Sequence, residues 1–367
     1  MALGISMDAN DNKMMKTDFL IIGGGVAGLS AAIRLAEEGA DVTLLEGGAY
    51  PIQKICGEFL SPEALPILKK WNIPTTSPIT KLKLVMPKNQ WSMALPNPTA
   101  TMLRYTLDEA LAQRAEQSGA HVKTSAQVEN IDVPKSEGKN YVVTLASGEQ
   151  WTSPTLLVST GRLTGTTKPK FCYIGAKAHF EGIDIPNELV MYLAKGSYFG
   201  MAPIGKNRVN VAGIIACTPE EALHPETTLS SFFKRVDAKQ LVATLSGGKC
   251  LFDSWMTGPI PEFGIRQPPP WPNAYFLGDA AGVIPPATGN GLSMGLTSGI
   301  LAAECALKGD SEKYRLLWNK EYRGRISTGM LLHKIFLSYW LSSSIPLVGG
   351  ALPFLPNYLF RKTRGHC

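Results

Sequence analysis

Residues 18–46, DFLIIGGGVAGLSAAIRLAEEGADVTLLE, limit what this chain can fold into more than any other stretch. Phe19–Ile22 is an unbroken apolar run, the pattern of a strand covered on both faces. Gly23-Gly24-Gly25-Val26-Ala27-Gly28 follows and fits G-x-G-x-x-G. Residues 27–38 have helical composition, Gly39 stops that helix, and Val42–Leu45 is a second buried strand ending at Glu46. Gly23 permits the tight strand-to-helix turn. Gly25, without a Cβ, lets the backbone approach a pyrophosphate, and Gly28 lets the helix lie close on the sheet. The helix start offers unpaired N–H groups and partial positive charge to phosphates. Glu46 is placed to accept the hydroxyls of an adenosine ribose, which suits FAD or NAD and disfavours a 2′-phosphate. The spacing predicts a dinucleotide site. The bland alternative is a glycine-rich βαβ turn with no ligand.

At 367 residues the chain can bury a large core, in two interlocked domains. Hydrophobic content of 44% against 18% charged points to a globular protein with a rather apolar surface or pocket. The net charge of +6 is too modest and scattered for a nucleic-acid protein, though Arg361, Lys362 and Arg364 cluster at the end. The six cysteines form no CxxC pair and no metal-ligand set, so no metal is expected and they read as reduced thiols of a cytoplasmic protein. Residues 1–17 lack the apolar core of a signal peptide and read as a loose leader.

Along the chain, Ser61 is the expected N-cap of a short helix with Pro62 at N1. Residues 80–95 read as irregular strand, 103–119 as an amphipathic helix, 141–145 as part of a hairpin, and 155–159 as a buried strand. Residues 171–215 are β-rich, 218–249 read as helical, and 292–308 form an apolar helix of small residues. The expected fold is α/β: a Rossmann-like FAD-binding domain over 17–80, 100–168 and 272–310, with a β-rich substrate domain over 81–99 and 169–271 inserted into it. A helical, apolar tail over 311–367 follows.

The second decisive stretch is 278–291, GDAAGVIPPATGNG. A buried run, AYFL, leads through Gly278 to Asp279, whose carboxylate suits a ribityl hydroxyl. The glycine-rich loop then opens a helix at Leu292. The amides around Gly289, Gly291 and Leu292 suit a flavin pyrimidine carbonyl and would stabilise charge on a reduced flavin. With the 23–46 unit, this resembles the FAD-binding architecture of the glutathione-reductase-like flavoproteins. More narrowly, residues 18–308 resemble the geranylgeranyl-reductase and aromatic-hydroxylase superfamily. The resemblance implies that Arg104 touches FAD and that Lys54-Ile55-Cys56-Gly57-Glu58 matches the family's mobile loop.

Within that superfamily, hydroxylases resemble G-D-A-A-H…P…G-x-G-x-N, but Gly282 stands where His would be and Ser293-Met294 replace Asn. The hydroxylases' Asp-Gly motif is replaced by Ser159-Thr160-Gly161-Arg162. Cys56-Gly57 and Ser298-Gly299 resemble the reductase branch instead. Its Y-x-W-x-F-P motif reads Tyr198-Phe199-Gly200-Met201-Ala202-Pro203, so Gly200 and Ala202 stand for the two aromatics and imply a wider or reshaped pocket. The W-x-W-x-I-P stretch of flavin halogenases is missing from the sequence.

For several residues two readings stand side by side. Cys56 is a redox-active or proton-donating thiol, or a small residue packed beside the flavin. Glu58 positions substrate or flavin, or is a solvated loop acid. Lys54 neutralises an FAD phosphate, or is simply solvated. Tyr198 is a pocket residue or a plain strand aromatic, Arg162 contacts cofactor or substrate or is a simple loop arginine, and His179 and His333 read as structural rather than catalytic. Residues 330–367 carry apolar runs broken by His333, Lys334 and prolines, so they are not a membrane span. They are a monotopic membrane contact, a lid over a lipophilic pocket, or a docked helix pair. The resemblance implies an FAD-dependent oxidoreductase that reduces or dehydrogenates a carbon–carbon bond in a lipophilic or polyketide-like molecule. NAD(P)H would dock transiently as electron donor. The alternatives are a flavin monooxygenase using NAD(P)H and O2, and a non-catalytic flavin-binding protein.

Overall fold

The computed structural model describes residues 14–76, 78–136, 138–163 and 171–365. The organising layer is a five-stranded, wholly parallel sheet. Its order is Ala274–Phe276, Thr155–Val158, Phe19–Ile22, Val42–Leu45 and His121–Lys123. Leu20, Ile21, Leu44, Leu156 and Leu157 are fully buried in it, each stabilising the fold by about 1.5–3 kcal/mol. The helices Val26–Glu37 and Gly291–Ala306 pack directly against each other. A Cβ on Gly299 would overlap the Ala27 carbonyl and the Ser30 hydroxyl, which explains the small-residue composition of the later helix.

The second layer is a nine-stranded sheet whose core strands are Phe171–Glu181, Arg208–Ala216, Ser197–Gly205, Glu188–Ala194, Ile79–Val85 and Gln90–Thr101. The α/β fold with a parallel dinucleotide-type sheet, a β-rich layer and C-terminal helices is as expected. Several local expectations need correction. Residues 80–95 are not irregular: Ile79–Val85 and Gln90–Thr101 form a regular antiparallel pair with one bulge, and Pro96 and Pro98 lie in the latter strand. Residues 218–249 break into Pro225–Phe233 and Lys239–Leu245. Ser61 does not cap a helix, which starts at Ala64; its hydroxyl donates to the Gly289 carbonyl at 2.9 Å. Of the supposed leader, residues 1–13 lie outside the described residues. Met15–Lys16 pairs with Gln150–Ser153 and Thr17 is buried, so this end is tied down.

The chain then runs through a long helix, Ser311–Leu337, into three short ones, Tyr339–Ser343, Ile345–Ala351 and Phe354–Lys362. None of Cys56, Cys217, Cys250 and Cys305 is in a disulfide. Cys367 lies outside the described residues.

Candidate functional site

All five parallel strands present their C-terminal ends to one edge, where the two glycine loops meet. A cavity of about 720 Å³ starts there, within the ~300–1,000 Å³ span of ligand sites, and reaches the C-terminal helices. Gly23, Gly25, Glu46, Lys54, Cys56, Glu58, Arg104, Tyr198, Gly278, Asp279, Gly289, Gly291 and Leu292 all line it. Gly28 does not line it and acts underneath, because a Cβ there would overlap the Gly23 carbonyl oxygen. Gly23 itself has φ +98°, a conformation open to glycine. A Cβ on Gly25 would meet nothing within 4 Å, so the space over that residue is open to a ligand.

Glu46 sits at the strand tip. Its carboxylate accepts from the backbone N–H of Gly24 at 2.6 Å and of Gly48 at 2.9 Å. The Tyr50 hydroxyl donates to the Gly24 carbonyl at 2.6 Å. These bonds hold the loop in its open shape with the carboxylate at the cavity wall. Across the cavity, Asp279 accepts from Arg162 Nε at 3.2 Å, so Arg162 is more than a plain loop arginine. Gly289, at φ +62°, turns the chain into the helix that starts at Gly291, and a Cβ there would press on the Phe59 ring at 2.7 Å. Two loops, an acid at each strand tip and an open backbone over Gly25 together fit the two halves of FAD.

Beneath this floor lies a charged cluster. Asp108 is fully buried and receives Arg104 Nε at 2.8 Å, Arg104 Nη2 at 2.6 Å and Lys54 Nζ at 3.0 Å. Burial opposes its charge, but Arg104 and Lys54 outweigh burial and hold its carboxyl below the usual range. Arg104 in turn is desolvated, yet Asp108 keeps it protonated, and the neighbouring Cys56 thiol adds to that effect. Lys54 is therefore paired rather than solvated. Asp108 escaped the sequence reading, although Arg104 and Asp108 stand one turn apart on the same helix face.

Glu58 is no solvated acid. It is fully buried with φ +56°, accepting Lys177 Nζ at 2.6 Å, the Arg104 N–H at 2.9 Å and sharing a hydrogen with His179 Nε2 at 3.0 Å. Burial would raise its pKa, but His179 and Lys177 pull it below the usual range. Lys177, 0% exposed, also reaches Gln53 Oε1 at 2.9 Å and the Lys54 carbonyl at 3.2 Å. Asn210 Nδ2 donates to the Cys56 carbonyl at 3.1 Å. The loop carrying Cys56 is thus fastened to the β-rich sheet at four points.

The far end of the cavity is apolar. Gly200 lines it directly, whereas Ala202 sits behind the wall, packed with Ile79 and the lining residue Phe59. Tyr198 is buried at the wall. Its hydroxyl accepts from the Ala287 N–H at 3.0 Å and meets His333 Nδ1 at 3.0 Å, while His333 Nε2 meets the Tyr173 hydroxyl at 2.9 Å. The ring tautomer sets which way the last two bonds run. Burial pushes the Tyr198 hydroxyl well above the ordinary tyrosine range, with the Ala287 N–H working the other way.

Burial among Tyr173, Tyr198, Phe263 and Phe336 brings the His333 pKa from 6.5 down to about 4. The native state therefore refuses a proton that the unfolded chain takes up. The stability involved is whole above pH 6.5 and is lost as pH falls from 6.5 to 4, by on the order of 3 kcal/mol. Urea midpoints at pH 7 and pH 4.5 should show this drop, and His333→Gln should lose much less between the two.

Residues 18–53 match the family model described as FAD dependent oxidoreductase. Menaquinone reductase of Mycolicibacterium smegmatis is 25% identical over 333 residues, covering 83% of this chain and 79% of that one. Digeranylgeranylglycerophospholipid reductase 2 of Methanopyrus kandleri is 24% identical over 356 residues, covering 88% and 87%. Among solved structures, a flavin-dependent brominase, Bmp2, superposes with a TM-score of 0.77 at 18% identity, over 95% of this chain and 93% of that one. That likeness concerns the fold alone.

Proposed function

We propose that this FAD-dependent oxidoreductase reduces, or in reverse dehydrogenates, a carbon–carbon bond of a lipophilic small molecule. The carrying observation is the continuity of one cavity, from the Gly23–Glu46 loop to walls made by Leu84, Met93, Met191, Ile214 and Phe263. The names of two relatives matched over most of their length, a menaquinone reductase and a digeranylgeranylglycerophospholipid reductase, agree with an apolar ligand and a reduction.

Bound FAD supplies hydride chemistry. Glu46 and the Gly25 backbone would hold its adenosine and pyrophosphate. Asp279, with the helix start at Gly291, would hold the flavin half. The apolar walls orient the ligand and exclude water. Tyr198 holds the proton that completes the reduction. When Ala287 N–H and His333 Nδ1–H both donate to its oxygen, its own O–H is left for the ligand. These hydrogen bonds then offset part of the burial that opposes a phenolate there. One hydride and one proton add across the double bond, so the ligand gains two hydrogens.

Reduced, FAD-loaded protein incubated without oxygen with menaquinone or a geranylgeranyl phospholipid should yield a product heavier by two hydrogens. A product that forms only in air and carries an oxygen atom would replace this reading with monooxygenation. Tyr198→Phe should keep its flavin and lose on the order of a hundredfold in kcat.

A further inference from the structure

The three short C-terminal helices have two apolar faces. The inner face, with Ile345, Leu355 and Leu359, closes the lipophilic end of the cavity. The outer face leaves Trp340 82%, Leu347 76%, Phe354 66% and Tyr358 53% exposed. These four large apolar side chains, exposed within residues 340–358, mark a surface that is covered in use. Leu341 and Val348 line the cavity and are also half exposed.

Charge identifies the cover. Residues 326–367 contain no Asp or Glu, but include Lys334, Arg361, Lys362 and Arg364. Four of the six net positive charges of the chain thus fall in this segment. Arg361 and Lys362 are exposed directly after the apolar face, where the Lys362 ammonium lies 6.0 Å from the Tyr358 ring. Aromatic and aliphatic groups followed by cations, with no acid among them, match an acyl boundary overlain by anionic phosphates. The helices have 5, 7 and 9 residues, too short to cross a bilayer.

We propose that the face formed by Tyr339–Lys362 docks on the surface of an anionic lipid bilayer. Trp340, Leu347 and Phe354 enter the acyl boundary, and Arg361 and Lys362 meet the head groups. The stretch around Leu341 and Val348, which lines the cavity, is then the port to it. Docking stands on the surface alone; only the entry of a lipophilic ligand through the port rests on the proposed function.

The test is co-sedimentation of the full, FAD-loaded chain with phosphatidylglycerol or phosphatidylcholine vesicles. Preference for the anionic vesicles, weakened by 0.5 M salt on the scale of a shortened Debye length, is expected. Trp340→Ser with Phe354→Ser should keep flavin colour and melting temperature yet weaken sedimentation at least about tenfold. Arg361→Gln with Lys362→Gln should erase the lipid preference. Failure to sediment with either vesicle overturns the proposal. So does a dimer in light scattering that the Trp340→Ser, Phe354→Ser variant dissolves, since a second copy would then be the cover. Turnover of detergent-dispersed ligand should not change in these variants, which separates a failure of docking from a failure of the proposed reaction.

Discussion

Replacing Glu58 by leucine is expected to cost about 3–5 kcal/mol of stability, because it leaves a buried lysine without a counter-ion. Lys177 is fully buried and has three acceptors, of which Glu58 Oε1 at 2.6 Å is the only charged one. His179 and the Arg104 N–H lose their acceptor at the same time. The neutral acceptors cannot offset the desolvation of an ammonium, so the fold must open or the lysine must shed its proton. Urea unfolding reads the effect. The companion variant, Glu58→Leu with Lys177→Met, should recover most of the loss, since two apolar side chains replace the whole pair. Equal stability of Glu58→Leu and the parent would show that the cluster does not carry this charge balance.

The second large effect separates two glycines of one loop. Gly28→Ala should cost both stability and cofactor, because its Cβ would overlap the Gly23 carbonyl and lift the helix off the strand. Gly25→Ala should leave the melting temperature of the FAD-free protein unchanged, since its Cβ meets nothing within 4 Å. It should nonetheless weaken FAD by on the order of a hundredfold, equivalent to about 3 kcal/mol, because the methyl occupies the space over which a pyrophosphate would lie. Flavin fluorescence titration and thermal melts of the FAD-free proteins check both variants. Tight FAD in Gly25→Ala would mean that the cofactor does not use this loop.

The parts of the site that were legible in the sequence are those the chain writes locally. A buried strand, a glycine turn and a helix lie next to one another in 18–46, so their composition declares the turn, and the same holds for 274–292. The charged cluster was not legible. Glu58 lies 119 residues from Lys177 and 121 from His179, and no local pattern pairs them. The strand alternation also misleads. Ala176, Ala178 and Phe180 pack into an apolar cluster, so Lys177 and His179 fall on what reads as the wet face. That face is instead covered by the 53–58 loop. The pairing of His333 with two tyrosines was hidden for the same reason, since its partners lie 135 and 160 residues away.

The fastening of the 53–58 segment to the opposite sheet has a consequence for traffic. Prying the two halves of the molecule apart would pull a naked ammonium out of its socket and break a buried carboxylate free of the two donors on the opposite sheet, Lys177 and His179. Swinging aside the helices over Tyr339–Lys362 would rupture, among their described residues, no buried lysine–carboxylate pair like Lys177–Glu58. On the proposed reading, a guest of the chamber would come and go by the roof, with the floor kept bolted.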